Sequence, residues 1–131
     1  MGPSLSGADR VILLVEDEFL IALDLERMLK AQGFAVRTAH RSAEALAMLA
    51  AGLEPVGALV DLNLGRGDDG AVVADELAVR GVPFLFTTGY GQAGVPERHA
   101  GRPVLQKPYR ESAVRTAVAR LFGEPAAVPS E

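Results

Sequence analysis

The feature that most constrains the fold is a set of short, uninterrupted apolar runs that end abruptly in polar residues. The first run, Val11–Val15, is followed by acidic residues 16–18, and a later run over residues 56–60 is followed by Asp61. Runs of this length and β-branched content are typical of strands buried on both faces of a sheet. We therefore expect parallel strands whose ends carry chemically active side chains.

Helical patterns alternate with these strands. Apolar residues recur at helical spacing over residues 19–32, 42–52, 71–79 and 111–122, and further strands are predicted at 34–38, 82–88 and 104–106. Residues 89–103 contain several glycines and prolines, so only a stub of helix is expected there. The pattern predicts a doubly wound (βα)5 α/β domain, flavodoxin-like, with strand order 2-1-3-4-5 and a short or irregular fourth helix.

Length and composition indicate one small globular domain. The 131 residues are 49% hydrophobic and 23% charged, with a net charge of −4 and no cysteine. We assign residues 10–122 to the domain, 1–9 to a flexible leader and 123–131 to a flexible tail. The lack of clustered cations argues against nucleic acid as a partner, and the apolar runs are too short to span a membrane. A cytoplasmic, monomeric protein is expected.

The predicted strand ends bring five polar residues to one edge of the sheet. Glu16 and Asp17 follow strand one, Asp61 follows strand three, Thr88 ends strand four and Lys107 follows strand five. Neighbouring strands lie ~5 Å apart, so the three carboxylates should converge. Like charges at short range need a cation to relieve them, and oxygen donors suit Mg²⁺. The sequence therefore predicts a Mg²⁺ site.

The same edge suggests a reaction. The Asp61 carboxylate could attack a phosphorus atom while the metal neutralises charge on one side. The Thr88 hydroxyl and the Lys107 ammonium would then face the remaining phosphoryl oxygens. These residue types together favour phosphorylation of an aspartate.

In these residues the sequence resembles the CheY-like receiver domains of two-component response regulators, over roughly residues 10–122. The resemblance implies that Asp61 is the phosphoacceptor and that Glu16 and Asp17 are the acidic pair, with Asp17 a direct Mg²⁺ ligand. It also implies that Asp61 and the backbone carbonyl of Asn63 bind the metal. Mg²⁺ would be the cofactor.

By the same resemblance, Thr88 is the switch hydroxyl and Lys107 is the lysine that contacts phosphate. Thr88 is favoured over Thr87 because the small residue Gly89 follows it, and Thr87 is expected to point to the other face or the core. The protein would not be an enzyme in the ordinary sense, since it would catalyse only its own phosphorylation and dephosphorylation.

Residues 86–90 further resemble the FATGUY subgroup of single-domain response regulators, with Thr87 in place of the usual alanine. This implies a stand-alone response regulator that is phosphorylated by a sensor histidine kinase of the HWE or HisKA2 type, or by a histidine phosphotransfer protein. Output would be phosphorylation-dependent protein binding. The subgroup is associated with bacterial general stress signalling.

Three departures from the common receiver pattern lead to a hypothesis about switching. Glycines rather than Met-Pro follow Asp61, the fourth helix is broken, and Val104 replaces an aromatic switch residue. We expect phosphorylation to draw Thr88 and Gly89 toward Asp61 and to order residues 90–101. Tyr90 is a candidate either for a partner surface or for packing against that segment.

Other interpretations stay open at the level of sequence. A Mg²⁺-dependent phosphatase or mutase of the haloacid-dehalogenase type would also form an aspartyl-phosphate, although Asn63 stands where such enzymes have a second aspartate. A binding module that ignores phosphate would not need all the polar residues at the edge. His40 and His99 are interpreted as surface histidines in loops away from that edge, and Asp68 and Asp69 as loop and helix-capping residues.

Overall fold

The computed structural model describes residues 10–89 and 94–123, and its elements alternate as expected. The strands are β1 (Val11–Val15), β2 (Ala35–Ala39), β3 (Gly57–Asp61), β4 (Phe84–Thr88) and β5 (Val104–Gln106), and the helices are α1 (Phe19–Ala31), α2 (Ser42–Ala50), α3 (Ala71–Val79) and α4 (Glu111–Leu121). The predicted leader, most of the predicted tail, and Tyr90 lie outside the described residues. Among the described residues no helix has the length and apolarity needed to cross a bilayer.

The strands form a five-stranded parallel sheet in the order β2-β1-β3-β4-β5, which confirms the predicted fold class. The pairing of Val15 with Val60 places the residues that follow β1 beside the end of β3. One hydrophobic core lies between the sheet and helices α2 and α3, and a second lies between the sheet and helices α1 and α4. The strands are thus buried on both faces, as their continuous apolar runs predict.

In the fourth crossover, the described residues 94–103 include a 3-10 turn, Glu97–His99, and no α-helix, so α4 denotes the last helix among the described residues. Pro96 precedes this turn in an extended conformation, and Gly101 with φ of 92° follows it. A left-handed residue of this kind ends a helix. The short fourth helix was therefore predicted correctly.

The prediction that His99 is a surface residue was wrong. Its side chain is buried, and its ring centroid lies 5.5 Å from that of Phe84 and 5.6 Å from that of Phe86. His99 Nε2 lies 2.7 Å from Asp75 Oδ1, and Arg98 contacts the same carboxylate at 2.8 and 3.1 Å. The histidine ring can be buried against two phenylalanines because its Nε2 forms a hydrogen bond with the Asp75 carboxylate. We call these five residues the His99 latch.

The start of α2 is hydrogen-bonded to the loop before α3. Ser42 is the first residue of the helix, and the cap position is Arg41, whose side chain makes no capping hydrogen bond. Asp68 lies in the loop before α3, as predicted, but its carboxylate accepts hydrogen bonds from the amide and hydroxyl of Ser42 at the start of α2. Asp69 does fill the predicted role, since its Oδ1 accepts a hydrogen bond from the Ala71 amide at the start of α3.

Candidate active site

The structure brings three carboxylates together at the carboxyl ends of β1 and β3. Oxygens of Glu16, Asp17 and Asp61 all lie within 4.8 Å of one another. Glu16 and Asp61 are almost fully buried, while Asp17 is half-buried. We call these three residues together with Lys107 the acidic pocket.

Lys107 bridges two of the carboxylates. Its Nζ lies 2.9 Å from Asp61 Oδ2 and 3.2 Å from Glu16 Oε1. The sequence placed Lys107 on the far side of Asp61 from the acidic pair, whereas the structure has it in contact with both. Burial alone would lower the pKa of Lys107, but the hydrogen bond and charge of Asp61 raise it above the usual value. The ammonium is therefore firmly charged.

Glu16 is a carboxyl group whose charged form is disfavoured by its surroundings. It is 0% exposed, and its Oε1 forms no hydrogen bond of normal geometry with any described residue. Burial, with a further contribution from Asp61, raises the pKa of Glu16 to about 7, against the opposing effects of the Glu18 amide and Lys107. A buried carboxylate is costly unless cations balance its charge, and here the one ammonium, 3.2 Å from Glu16 Oε1, is shared with Asp61.

These groups fit Mg²⁺. When all three carboxylates are ionised, they outnumber the one ammonium of the pocket by two charges, which matches a divalent ion. All donors are hard oxygens, and Mg²⁺ takes a few carboxylates and completes its shell with water and phosphate. Glu16 and Asp61 share the single Lys107 ammonium, which is a further reason to expect a cation here.

The loop after β3 contacts both the side chain and the backbone of Asp61. The Asn63 amide donates a hydrogen bond to Asp61 Oδ1 at 3.0 Å. A Cβ atom on Gly70 would lie 2.0 Å from the Asp61 carbonyl oxygen, so only glycine allows the loop to return this close. The predicted ligand Asn63 is thus directly linked to Asp61, with its side chain turned back to accept from the Gly65 amide.

Thr88 lies at the same edge, at the end of β4. It is buried, its carbonyl accepts a hydrogen bond from the Lys107 amide, and a Cβ atom on Gly94 would lie 3.9 Å from its hydroxyl. Thr87 is the register partner of Asp61 and is also buried. Alternation along the strand puts Thr87 on the face of the second core, which includes Tyr109, in agreement with the expectation that Thr87 points to the other face or the core.

Sequence reasoning missed His40. It was placed away from the edge, but it directly follows β2, and its Nδ1 lies 2.9 Å from the Glu16 carbonyl oxygen. A carbonyl only accepts, so Nδ1 carries the proton and fixes the backbone between β1 and α1. The strand order held the missing signal, since β2 neighbours β1 and their ends must be adjacent.

Comparison with known proteins gives the family. The solution structure of SdrG from Sphingomonas melonis Fr1 is similar to this structure, with a TM-score of 0.76. The two sequences are 40% identical, and the match covers 90% of this chain and 99% of SdrG. The chain is a response regulator receiver domain. The beryllofluoride-activated form of SdrG is 42% identical, with a TM-score of 0.73, over 88% of this receiver domain and 98% of that chain.

The PhyR proteins are further relatives of this receiver domain. The receiver of PhyR from Erythrobacter litoralis is 27% identical, with a TM-score of 0.79, over 93% of this chain and 98% of that one. PhyR, the phyllosphere-induced regulator of Methylorubrum extorquens, is 31% identical over 85% of this chain. The chain spans less than half the length of the curated relatives it matches. No protein-family model matches it.

Proposed function

We propose that this receiver domain accepts one phosphoryl group on Asp61, with Mg²⁺, from a histidine kinase or a histidine phosphotransfer protein. The observation that carries the proposal is the acidic pocket, in which the buried Asp61 carboxylate lies beside two further carboxylates and one ammonium. Receiver domains act as signalling switches rather than as enzymes with a separate substrate, and SdrG, a close match over its whole length, adopts a beryllofluoride-activated conformation.

Each pocket residue has a defined part in this reaction. An oxygen of Asp61 attacks phosphorus, the P–N bond to the donor histidine breaks, and the imidazole leaves with the electron pair. Asp17, Asp61 and the carbonyl of Asn63 would hold Mg²⁺, with Glu16 beside them. When bound, the ion would neutralise charge on the phosphoryl oxygens. Lys107 already lies 2.9 Å from Asp61 and would transfer its contact to a phosphoryl oxygen, while Thr88 would bind another.

The donor protein has a suitable docking face next to the pocket. A groove is lined by Leu20 and Leu23 of α1 and by Lys107 and Tyr109, so Lys107 belongs to both the groove and the pocket. Leu20 is 77% exposed and Leu23 is 44% exposed, which is unusual for leucines on one turn of a helix. A helical kinase segment seated on these leucines would bring its phosphohistidine to Asp61.

The signal would belong to stress regulation. The relative PhyR is a stress response regulator, and residues 86–88 of the stretch that resembles the FATGUY subgroup form the end of β4. The output would be a protein contact made by the segment after Thr88. Residues 90–93 of that segment lie outside the described residues, so the expected ordering of residues 90–101 stays a prediction.

Intact-mass spectrometry after incubation with phosphoramidate and Mg²⁺ tests the proposal. We expect one phosphoryl group per chain in the wild type and none in Asp61→Asn or in wild type with EDTA. Asp69→Asn is the matched control, because it removes a carboxylate from the same loop and leaves Asp61 in place. Phosphorylation that persists in Asp61→Asn, or sustained hydrolysis of p-nitrophenyl phosphate, would contradict a phosphoacceptor switch.

The docking face needs a separate test. Leu20→Glu should slow phosphotransfer from a sensor histidine kinase that phosphorylates the wild type, and should leave phosphorylation by phosphoramidate unchanged. Val79→Glu is the control, because Val79 is 83% exposed on α3, away from the groove. Equal slowing by both variants would argue against a specific face.

A further inference from the structure

The loop that carries Asn63 is fastened to α2 across the end of β1. Asp68 accepts hydrogen bonds from the Ser42 amide, at 3.0 Å, and from the Ser42 hydroxyl. Arg41 Nε lies 3.4 Å from the same carboxylate. Ser42 is buried and the Asp68 side chain is 16% exposed, so these contacts are largely shielded from water. Because β1 lies between β2 and β3, the connection joins the segments that follow the two strands on either side of β1.

The loop folds back on itself just before Asp68. Gly65, Arg66 and Gly67 all have positive φ, and the turn they form returns the chain so that Asp68 bonds back to it. The Asp68 amide donates to the Gly65 carbonyl at 2.9 Å, and its carbonyl accepts from the Leu64 amide at 3.1 Å. A nonglycine residue such as Arg66 adopts this conformation at a cost, so surrounding contacts must hold it.

The loop also contacts the acidic pocket directly. The Asn63 amide is bonded to Asp61, and Asn63 pairs with Asp69 in an isolated antiparallel bridge. A Cβ atom on Gly65 would lie only 3.2 Å from Asp17 Oδ2. A displacement of the loop would therefore shift groups that lie against both Asp17 and Asp61.

We propose that Asp68, through its bonds to Ser42, is a positioning residue for the Mg²⁺ site. It holds the loop so that the Asn63 carbonyl and the Gly65 backbone lie in register with Asp17. This inference rests on the proposed function, because it concerns the metal that phosphorylation would require. If Asp68 served only to cap α2, its loss would lower stability and leave Mg²⁺ affinity unchanged.

The test compares Mg²⁺ dissociation constants, measured by amide NMR titration of the whole chain without a phosphoryl donor. Asp68→Asn keeps the size of the side chain and loses its charge. We expect it to weaken Mg²⁺ binding by roughly tenfold, which is typical of groups that orient metal ligands. Ser42→Ala should weaken binding by less, because its backbone amide still donates to Asp68. The double variant should bind Mg²⁺ no more weakly than Asp68→Asn alone, because both changes act on the same interaction between Asp68 and Ser42.

Two controls separate positioning from charge and from stability. Glu76→Gln removes a carboxylate from the exposed pair with Arg80 on α3 and should bind Mg²⁺ like the wild type. Thr38→Val removes a hydrogen bond to Glu26, in contact with neither the loop nor the pocket, and should lower stability without changing affinity. A change in Glu76→Gln equal to that in Asp68→Asn would overturn the proposal, because net charge would then explain it.

The outcomes also distinguish this inference from the proposed function. If the wild type binds Mg²⁺ and both Ser42→Ala and Asp68→Asn bind it equally well, positioning is overturned and the proposed function stands. If the wild type itself does not bind Mg²⁺, the proposed function fails as well. Should Asp68→Asn not fold, Ser42→Ala decides, because it retains the carboxylate and the backbone donor.

Discussion

The acidic pocket and the His99 latch are both polar clusters at the edge of the hydrophobic core, but their charges are balanced differently. In the latch, one carboxylate, Asp75, lies between Arg98 and His99, and these hydrogen bonds lower the pKa of Asp75 to about 2. In the acidic pocket, three carboxylates share one ammonium, and the pKa of Glu16 is raised to about 7. The carboxylate of the latch is balanced by its own partners, whereas the pocket has an excess of carboxylates that could hold a further cation. We infer that the latch serves structure and the pocket serves chemistry.

The largest expected effect comes from disturbing the backbone beneath the pocket. In Gly70→Ala the new Cβ atom would overlap the Asp61 carbonyl oxygen, at 2.0 Å, and the backbone would have to move. We expect a loss of about 4 kcal/mol of unfolding free energy, measured by urea denaturation.

Gly67→Ala is the matched control for this variant. Gly67 has φ of 76° and no neighbour within 4 Å of an added Cβ atom, so only the backbone conformation is strained. A cost of about 1 kcal/mol is expected. Equal costs for the two variants would show that close approach to Asp61 is unimportant.

Removing the ammonium from the pocket should come next in size. Lys107→Met leaves Glu16 and Asp61 buried without a counterion, which should cost about 3 kcal/mol in EDTA. Mg²⁺ should restore more stability to this variant than to the wild type, because the ion takes over the neutralising role. A variant that Mg²⁺ does not stabilise more than the wild type would mean that the pocket does not need the cation we assign to it.

The latch should respond in stability and not in metal binding. His99→Ala removes a buried ring that packs on Phe84 and Phe86, and should cost roughly 2 to 3 kcal/mol in urea denaturation. The Mg²⁺ dissociation constant should stay within about twofold of the wild type, because the described contacts of His99 do not reach the carboxylates of the pocket. A tenfold change in the Mg²⁺ dissociation constant would contradict the proposal that the His99 latch affects stability and not metal binding.

The pH dependence should separate the clusters further. The folded-state pKa of Glu16 is raised from 4.5 to about 7, so its contribution to the stability of the metal-free protein is full below pH 4.5 and is lost as pH rises through 7. Mg²⁺ binds the ionised form, so its affinity should rise by up to about tenfold per pH unit below pH 7 and level off above it. An affinity independent of pH between 5.5 and 8 would contradict this assignment.

Asp75 gives the opposite sign and the smallest effect. Its folded-state pKa is lowered to about 2, so its stabilising contribution is present above its unfolded value of 3.8 and is lost as pH falls through 2. Asp75→Asn should therefore reduce the acid sensitivity of unfolding below pH 4 by a small amount, because the pair is largely exposed. Thermal unfolding scans between pH 2 and pH 5 would measure this effect. An acid midpoint in Asp75→Asn equal to that of the wild type would contradict a stabilising role for the Asp75 carboxylate.

The sequence predicted the residues of the acidic pocket better than the contacts between distant residues that surround it, because the pocket residues follow recognisable apolar runs. Glu16, Asp17 and Asp61 each follow a continuous apolar run, and a parallel sheet must bring such strand ends together. The bond between Ser42 and Asp68 and the contact between His99 and Asp75 join residues 26 and 24 positions apart. Such contacts depend on how helices and loops pack, and no local periodicity encodes them. His40 was missed although the predicted strand order placed it beside β1.

The measurement that tests the central claim most directly is an amide NMR titration of the wild type and Asp61→Asn with Mg²⁺ and then beryllofluoride. We predict that beryllofluoride shifts the amides of Asp17, Asn63, Thr88 and Lys107 in the wild type, only when Mg²⁺ is present, and leaves Asp61→Asn unchanged. The same shifts in Asp61→Asn, or none in either protein, would contradict the assignment of Asp61 as the phosphoacceptor of this receiver domain.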